Sequence, residues 1–173
     1  MEFEFSLSKD ELRPTIMLYG RNALIDTGAL IPVFSFSEDF IKARFKAKLV
    51  KQNKFITGLG SHEVYGDVYA FSNFYIKDLH YKTLEAFVPY EKALSFPILL
   101  SAPLFGNTEY EFKPKLKRMV VKVPDELAMN NEFLIKDLAK DHVSVQLNGV
   151  LIQNYSSEVL VQKEVKKNKG FFR

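Results

Sequence analysis

The sequence predicts a mainly β protein with one or two short helices, and three observations carry that expectation. Short apolar runs recur along the 173 residues, several of them alternating with polar side chains, and Gly, Pro, Asn or Ser separates one from the next. Asn148-Gly149 stands between two such runs, which is the strongest short-range hairpin signal a sequence offers. Helical spacing is confined to two short segments.

Taken in order, Phe3, Phe5 and Leu7 alternate with polar residues and predict a half-buried strand. Thr15 to Tyr19 and Asn22 to Ile25 are apolar runs separated by Gly20-Arg21, which predicts a hairpin turning at that dipeptide. Val33, Phe34 and Phe36 predict a further strand. Ser37-Glu38-Asp39 then reads as a helix start, a capping hydroxyl followed by two acids in the first turn. Ile41, Phe45 and Leu49 recur every four residues and give that helix an apolar face, with Lys42, Arg44, Lys46 and Lys48 as a solvated basic face. From Lys54 to Val88 the pattern is β, with Gly58 and Gly60 inside it. Pro97 to Phe105 is an apolar run closed by Gly106, and Tyr110 to Phe112 and Met119 to Val123 are strands. Asn131 to Lys140 is expected to be a short helix, and Val143 to Leu147 and Val150 to Ile152 the arms of the Asn148-Gly149 hairpin. The basic end, Lys163 to Arg173, is expected to fray.

Composition narrows the function classes. Hydrophobic residues make up 47%, including 16 Phe and 8 Tyr, enough for a sizeable core. The formal net charge of +3 is too small to indicate a nucleic-acid partner. There is no Cys, so disulfides, thiolate metal sites and a cysteine nucleophile are excluded together, and a reducing, cytoplasmic setting is expected. No stretch reaches the roughly 18 apolar residues of a membrane helix, and acidic Glu2 and Glu4 stand where a secretion signal is basic. No membrane association is expected. His62, His80 and His142 show no metal-ligand spacing, and Gly58 and Gly60 lack the Lys-Ser/Thr of a phosphate loop, so neither metal nor cofactor is expected.

The chemistry-bearing segment is Ala23-Leu24-Ile25-Asp26-Thr27-Gly28-Ala29. A carboxylate that ends an apolar strand needs a partner or a task. Gly28 lets backbone approach that carboxylate closely, and Thr27 offers a short hydroxyl to a neighbouring loop. The tripeptide alone is weak. It occurs by chance in roughly a few per cent of chains this long, and Asp26 could simply cap a turn after a strand.

Two further segments give it context. Lys54 to Val64 reads Lys-Phe-Ile-Thr-Gly-Leu-Gly-Ser-His-Glu-Val, a hairpin with an apolar residue between two glycines. Pro97 to Phe105 reads Pro-Ile-Leu-Leu-Ser-Ala-Pro-Leu-Phe. With the Asp26 segment, and in this order, they resemble the retropepsin family of aspartic proteases over about residues 14 to 112. The resemblance implies a closed β-barrel of the acid-protease type over residues 1–115. The remainder, 116–173, is then a β-rich extension with a basic tail, packed on the same domain. Asp26 becomes the catalytic carboxylate, with Thr27 and Gly28 supporting its loop. Ile56, Thr57, Gly58, Leu59, Gly60 and Ser61 become the flap over a polypeptide substrate. Ala29, Leu30, Ile31 and Leu104 are implied as pocket residues, and Leu99, Leu100 and Ser101 as the strand beneath the catalytic loop.

The match has departures. The family usually has Gly where this chain has Ser101, and a second adjacent Gly in the flap where it has Ser61. Viral members often carry an acid and an Arg as an ion pair where this chain has Leu30 and Ala102, so both charges are missing together. The chain holds one such Asp-Thr-Gly, whereas the chemistry needs two carboxylates sharing one proton. The implied enzyme is therefore a homodimer with one Asp26 from each copy. The alternative is a catalytically inactive barrel acting as a protein-binding or dimerisation module.

Overall fold

A computed structural model describes residues 1–8, 13–58, 62–91, 97–106, 108–139 and 142–154. The expected flap tip, Leu59, Gly60 and Ser61, and the basic tail from Lys163 to Arg173 lie outside them. The described chain is mainly β. Strands β1 (Glu2–Leu7), β2 (Pro14–Leu18), β3 (Arg21–Asp26) and β4 (Val33–Phe34) precede the single α-helix, α1 (Glu38–Phe45). Then come β5 (Lys48–Gly58), β6 (His62–Ile76), β7 (Leu79–Pro89), β8 (Ile98–Ser101), β9 (Glu109–Lys113) and β10 (Arg118–Lys122). β11 (Asn131–Ala139), β12 (His142–Leu147) and β13 (Val150–Asn154) complete the order. Short 3₁₀ turns occupy Ala102–Phe105, Pro114–Leu116 and Asp125–Leu127.

The strands form one sheet in the order β13-β12-β11-β7-β4-β8-β3-β2-β1-β10-β9, with the β5–β6 hairpin branching from β7. Among the described residues no ladder joins β9 to β13, so the sheet is open where a closed barrel was expected. The reason lies in the C-terminal strands. β10 pairs antiparallel with β1 and carries β9 outward, while β11 pairs parallel with β7 and carries β12 and β13 outward. The sheet grows at both ends, and closure would need those two ends to meet in register.

Three local expectations are also corrected. The first hairpin turns at Tyr19-Gly20, not Gly20-Arg21. Both turn residues have positive φ, +53° and +74°, the geometry that matches the twist of a two-residue hairpin. Helix α1 starts where Ser37 predicts, with the Ser37 hydroxyl accepting from the Phe40 amide at 3.2 Å, and it buries Ile41 and Phe45. It ends at Lys46 in a left-handed conformation, so Leu49 falls on β5 and is 46% exposed rather than on the helix's apolar face. Residues 131–139 form a strand, not a helix.

That third correction has a clear cause. Phe133 and Ile135 are buried at period two, the spacing of a strand. Asn131 is buried and donates its side-chain amide to the carbonyls of His80 at 2.8 Å and Leu127 at 2.5 Å. The His80 amide returns a bond to the Ala128 carbonyl at 2.9 Å. His80 Nδ1 accepts from the Asn130 amide, which leaves Nε2–H to donate to Asn73 Oδ1 at 2.9 Å. Tertiary hydrogen bonds to the start of β7 thus outweigh a weak local helix preference.

The core is aromatic. Phe34, Phe36, Phe45, Phe71 and Phe74 are buried in mutual contact beneath α1, with Phe34 and Phe74 stacked at 5.0 Å and Tyr19 edge-on to Phe45 at 4.9 Å. Each such side chain contributes on the order of 1.5–3 kcal/mol by leaving water. The Arg21 guanidinium covers the open side of the cluster, 3.8 Å from the Phe40 ring centroid.

One carboxylate is built into the sheet away from the expected site. Where β11 diverges from β7, the Ile135 amide donates to Glu85 Oε1 at 2.8 Å instead of to a strand carbonyl. Burial of Glu85 raises its pKa above 4.5, and the Ile135 bond opposes that only in part. The folded state therefore holds this proton to higher pH than the unfolded chain does. Glu85's contribution to stability is full below about the ordinary glutamate value and is lost as pH rises through the raised one. Glu85→Gln keeps an acceptor for Ile135 and removes the titration. In thermal melts taken from pH 4 to 8, the wild-type melting temperature should fall relative to Glu85→Gln across that window. Parallel curves for the two proteins would refute the assignment.

Candidate active site

Strand β3 carries Ala23, Leu24 and Ile25 into the core and delivers Asp26 at its carboxyl end. Beside it runs β8 in parallel register, with Ala23 opposite Ile98, Leu24 opposite Leu99, Ile25 opposite Leu100 and Asp26 opposite Ser101. β4 lies on the other side of β8, antiparallel to it, and bridges to β7. The two apolar segments named from the sequence are thus neighbours although more than 70 positions apart, and the second forms strand β8 followed by the 3₁₀ turn Ala102–Phe105.

After Asp26 the chain turns at once. The Gly28 amide donates to Asp26 Oδ1 at 3.1 Å and the Ala29 amide to the Asp26 carbonyl at 3.1 Å. The Ala102 amide donates to the Ala29 carbonyl at 3.3 Å, tying this turn to the 3₁₀ turn that follows β8. Thr27 is exposed, Gly28, Ala29 and Leu30 are half-buried, and Ile31 is buried. Leu99 and Leu100 are buried in the sheet, and Leu104 is fully buried in the core beneath the loop rather than at its surface. Asp26 itself is only 2% exposed, so the single chain keeps its carboxylate out of bulk water.

Opposite Asp26, Ser101 is fully buried, and its hydroxyl has no hydrogen-bond partner among the described residues. An unsatisfied buried hydroxyl costs about 1–3 kcal/mol.

The expected flap is a real hairpin up to its tip. Ile56 pairs with Val64, Thr57 with Glu63 and Gly58 with His62. Ile56, Val64 and Leu30 are half-buried and pack against the core. Four consecutive ladders, β6–β7, β7–β4, β4–β8 and β8–β3, connect this hairpin to Asp26.

Its base carries a device the sequence reading missed. β5 slips register twice, between Leu49 and Lys51 and between Lys51 and Lys54, and Asn53 takes a positive φ of +53°. Asp67 on β6 holds that bulge. Its Oδ1 accepts from the Asn53 amide at 3.1 Å and from the Tyr90 hydroxyl at 2.5 Å. The Asp67 carboxylate in turn raises the Tyr90 pKa. Next to it, a Cβ on Gly66 would stand 2.3 Å from the Val88 carbonyl oxygen, so only glycine lets β6 run this close to β7. Asp67 reads from sequence as a solvated strand residue. The available signal was Asn53, a residue tolerant of left-handed backbone inside an otherwise β run.

His62 begins β6, His80 lies at the start of β7 and His142 begins β12. Among the described residues no group of three or more His, Asp or Glu side chains could hold a metal ion, and no helix is long and apolar enough to cross a membrane. Comparison with protein-family models, with curated proteins and with solved structures finds no match to this chain.

Asp67→Ala removes the acceptor for both the Asn53 amide and the Tyr90 hydroxyl. Stability should fall by about 1 kcal/mol, and the Asn53 amide should exchange with deuterium faster while amides of β3 and β8 keep their protection. An Asn53 amide equally protected in the variant would show that Asp67 does not hold the bulge.

Proposed function

We propose that this chain is an aspartic endopeptidase that works as a homodimer, with Asp26 from each copy forming the catalytic pair. The observation that carries this reading is the Asp26 carboxylate at the end of a buried strand. It is held by the Gly28 amide and laid in parallel register beside the apolar strand that leads into the Ala102–Phe105 turn. A glycine-bearing hairpin on the same sheet supports it. Two like charges about 3 Å apart cannot both ionise, so the pair would share one proton. The ionised member takes a proton from water while the protonated one polarises the peptide carbonyl, and the water oxygen attacks the carbonyl carbon; the carboxyl that took the proton then passes it to the amide nitrogen as the C–N bond breaks, which leaves a carboxylic acid and an amine. Exposed Thr27 would brace the partner's loop, while the Gly28 amide holds the carboxylate. The substrate would lie extended under the hairpin, held by backbone hydrogen bonds, with alternate side chains entering apolar pockets near Leu30 and Ile31. The lack of cysteine supports a cytoplasmic setting.

One observation favours a second reading. At 2% exposure, Asp26 is closed to substrate in the single chain. A module of this fold that binds or dimerises and no longer cleaves would keep its carboxylate in that state, as a structural acceptor for the Gly28 amide.

Asp26→Asn separates the two. The proteolytic reading expects peptide cleavage to fall at least about 100-fold with the melting temperature little changed, and a statine-containing inhibitor to raise the wild-type melting temperature but not that of the variant. A wild-type rate that passes through a maximum with pH would accord with one shared proton. Cleavage undiminished in Asp26→Asn would overturn the role of Asp26 and both readings with it, whereas a chain that stays monomeric and cleaves nothing would leave the binding module.

A further inference from the structure

The buried hydroxyl of Ser101 is the one feature of this site that neither the fold nor the proposed dyad uses. Ser101 is fully buried, and its Oγ has no hydrogen-bond partner among the described residues. It does not cap the 3₁₀ turn that begins after it, and its extended backbone, φ −96° and ψ 154°, is unstrained. Local backbone therefore does not account for the hydroxyl. The flanking Leu99, Leu100, Leu104 and Ile25 are buried apolar side chains that offer it no acceptor.

Its position opposite Asp26 is the informative part. Registered residues of a parallel pair project to the same face, and the two strands run about 4.8 Å apart. The hydroxyl and the carboxylate thus stand side by side, within reach of a rotation about the Ser101 Cα–Cβ bond. An ionised carboxylate offers about four acceptor positions, so the Gly28 amide on Oδ1 does not exhaust it.

We infer that Ser101 is a positioning residue: its Oγ–H donates to the Asp26 carboxylate in the substrate-loaded site and fixes the carboxylate's orientation toward the attacking water. The inference rests on the proteolytic reading and adds to it a donor supplied by this chain's own departure from glycine at that position. A residue retained for packing alone would be better served by alanine, which fills nearly the same space without burying an unpartnered hydroxyl.

The test uses the full chain and the best-cleaved member of a fluorogenic peptide library with apolar residues flanking the scissile bond. Wild type, Ser101→Ala, Ser101→Thr and Asp26→Asn are compared. In Ser101→Ala, kcat should fall about fivefold to tenfold with KM within about twofold, and the melting temperature should be equal to or above that of wild type. Ser101→Thr, which restores a hydroxyl, should recover most of the lost kcat if its melting temperature shows that it folds. A Ser101→Ala enzyme with wild-type kcat overturns the assignment, and so does a loss of rate that tracks a lowered melting temperature. A wild type that cleaves no peptide overturns the proteolytic reading and this inference with it. An active wild type beside an unaffected Ser101→Ala overturns the role of Ser101 alone.

Discussion

A carboxylate held away from water at the end of an apolar strand needs hydrogen-bond donors, and the architecture around Asp26 is arranged to supply them. β3 is buried along Ala23, Leu24 and Ile25, so its last residue arrives in the interior rather than at a solvated turn. The chain answers by reversing immediately, which brings the Gly28 amide onto Oδ1. That tight reversal is in turn fixed by the Ala102 amide on the Ala29 carbonyl. Moving β8 would therefore disturb the donor set as surely as changing Gly28, and the stability of the loop is bound to the pairing of two strands distant in sequence.

The same pairing explains why the sheet has its particular order. β8 lies parallel to β3, which puts Ser101 beside Asp26, and β4 fills the gap between β8 and β7 with only two residues. β7 becomes the hub of the other half. It carries β6 and the long hairpin on one edge, and β4 and β11 in parallel pairings elsewhere along its length. The C-terminal strands are consequently not an appendage in hydrogen-bonding terms, since β10 completes β1 and β11 completes β7. Their addition at both ends leaves β9 and β13 as sheet edges, with Phe112 and Val150 exposed there.

Polar groups inside this sheet sit where strand pairing fails. Glu85 receives the Ile135 amide where β11 leaves β7, Asp67 receives the Asn53 amide where β5 bulges, and Asn131 with His80 satisfies carbonyls and amides between the 3₁₀ turn at Asp125–Leu127 and β7. Each meets with a side chain a backbone group that strand pairing leaves over. Ser101 breaks that pattern, because its hydroxyl is buried without serving a backbone group. Among the buried atoms without a hydrogen-bond partner in the described residues, it is the one that stands opposite Asp26.

The sequence by itself determined the local elements whose cause is local. The Asn148-Gly149 turn, with φ of +49° and +88°, the Ser37 cap, the period-two strands and the placement of Asp26 at a strand end all follow from backbone preference and hydrophobic spacing. It misread Asn131 to Lys140 as a helix and carried Leu49 onto one, because both assignments turned on partners that only the folded chain brings near: the His80 and Leu127 carbonyls for Asn131, and β6 for Leu49. Tertiary structure alone decided that the sheet stays open, that Asp67 clasps a bulge, that Asp26 is closed to water and that Ser101 stands beside it. Each of these depends on contacts between residues far apart in the chain, and periodicity along a sequence carries no information about which distant strand will lie alongside.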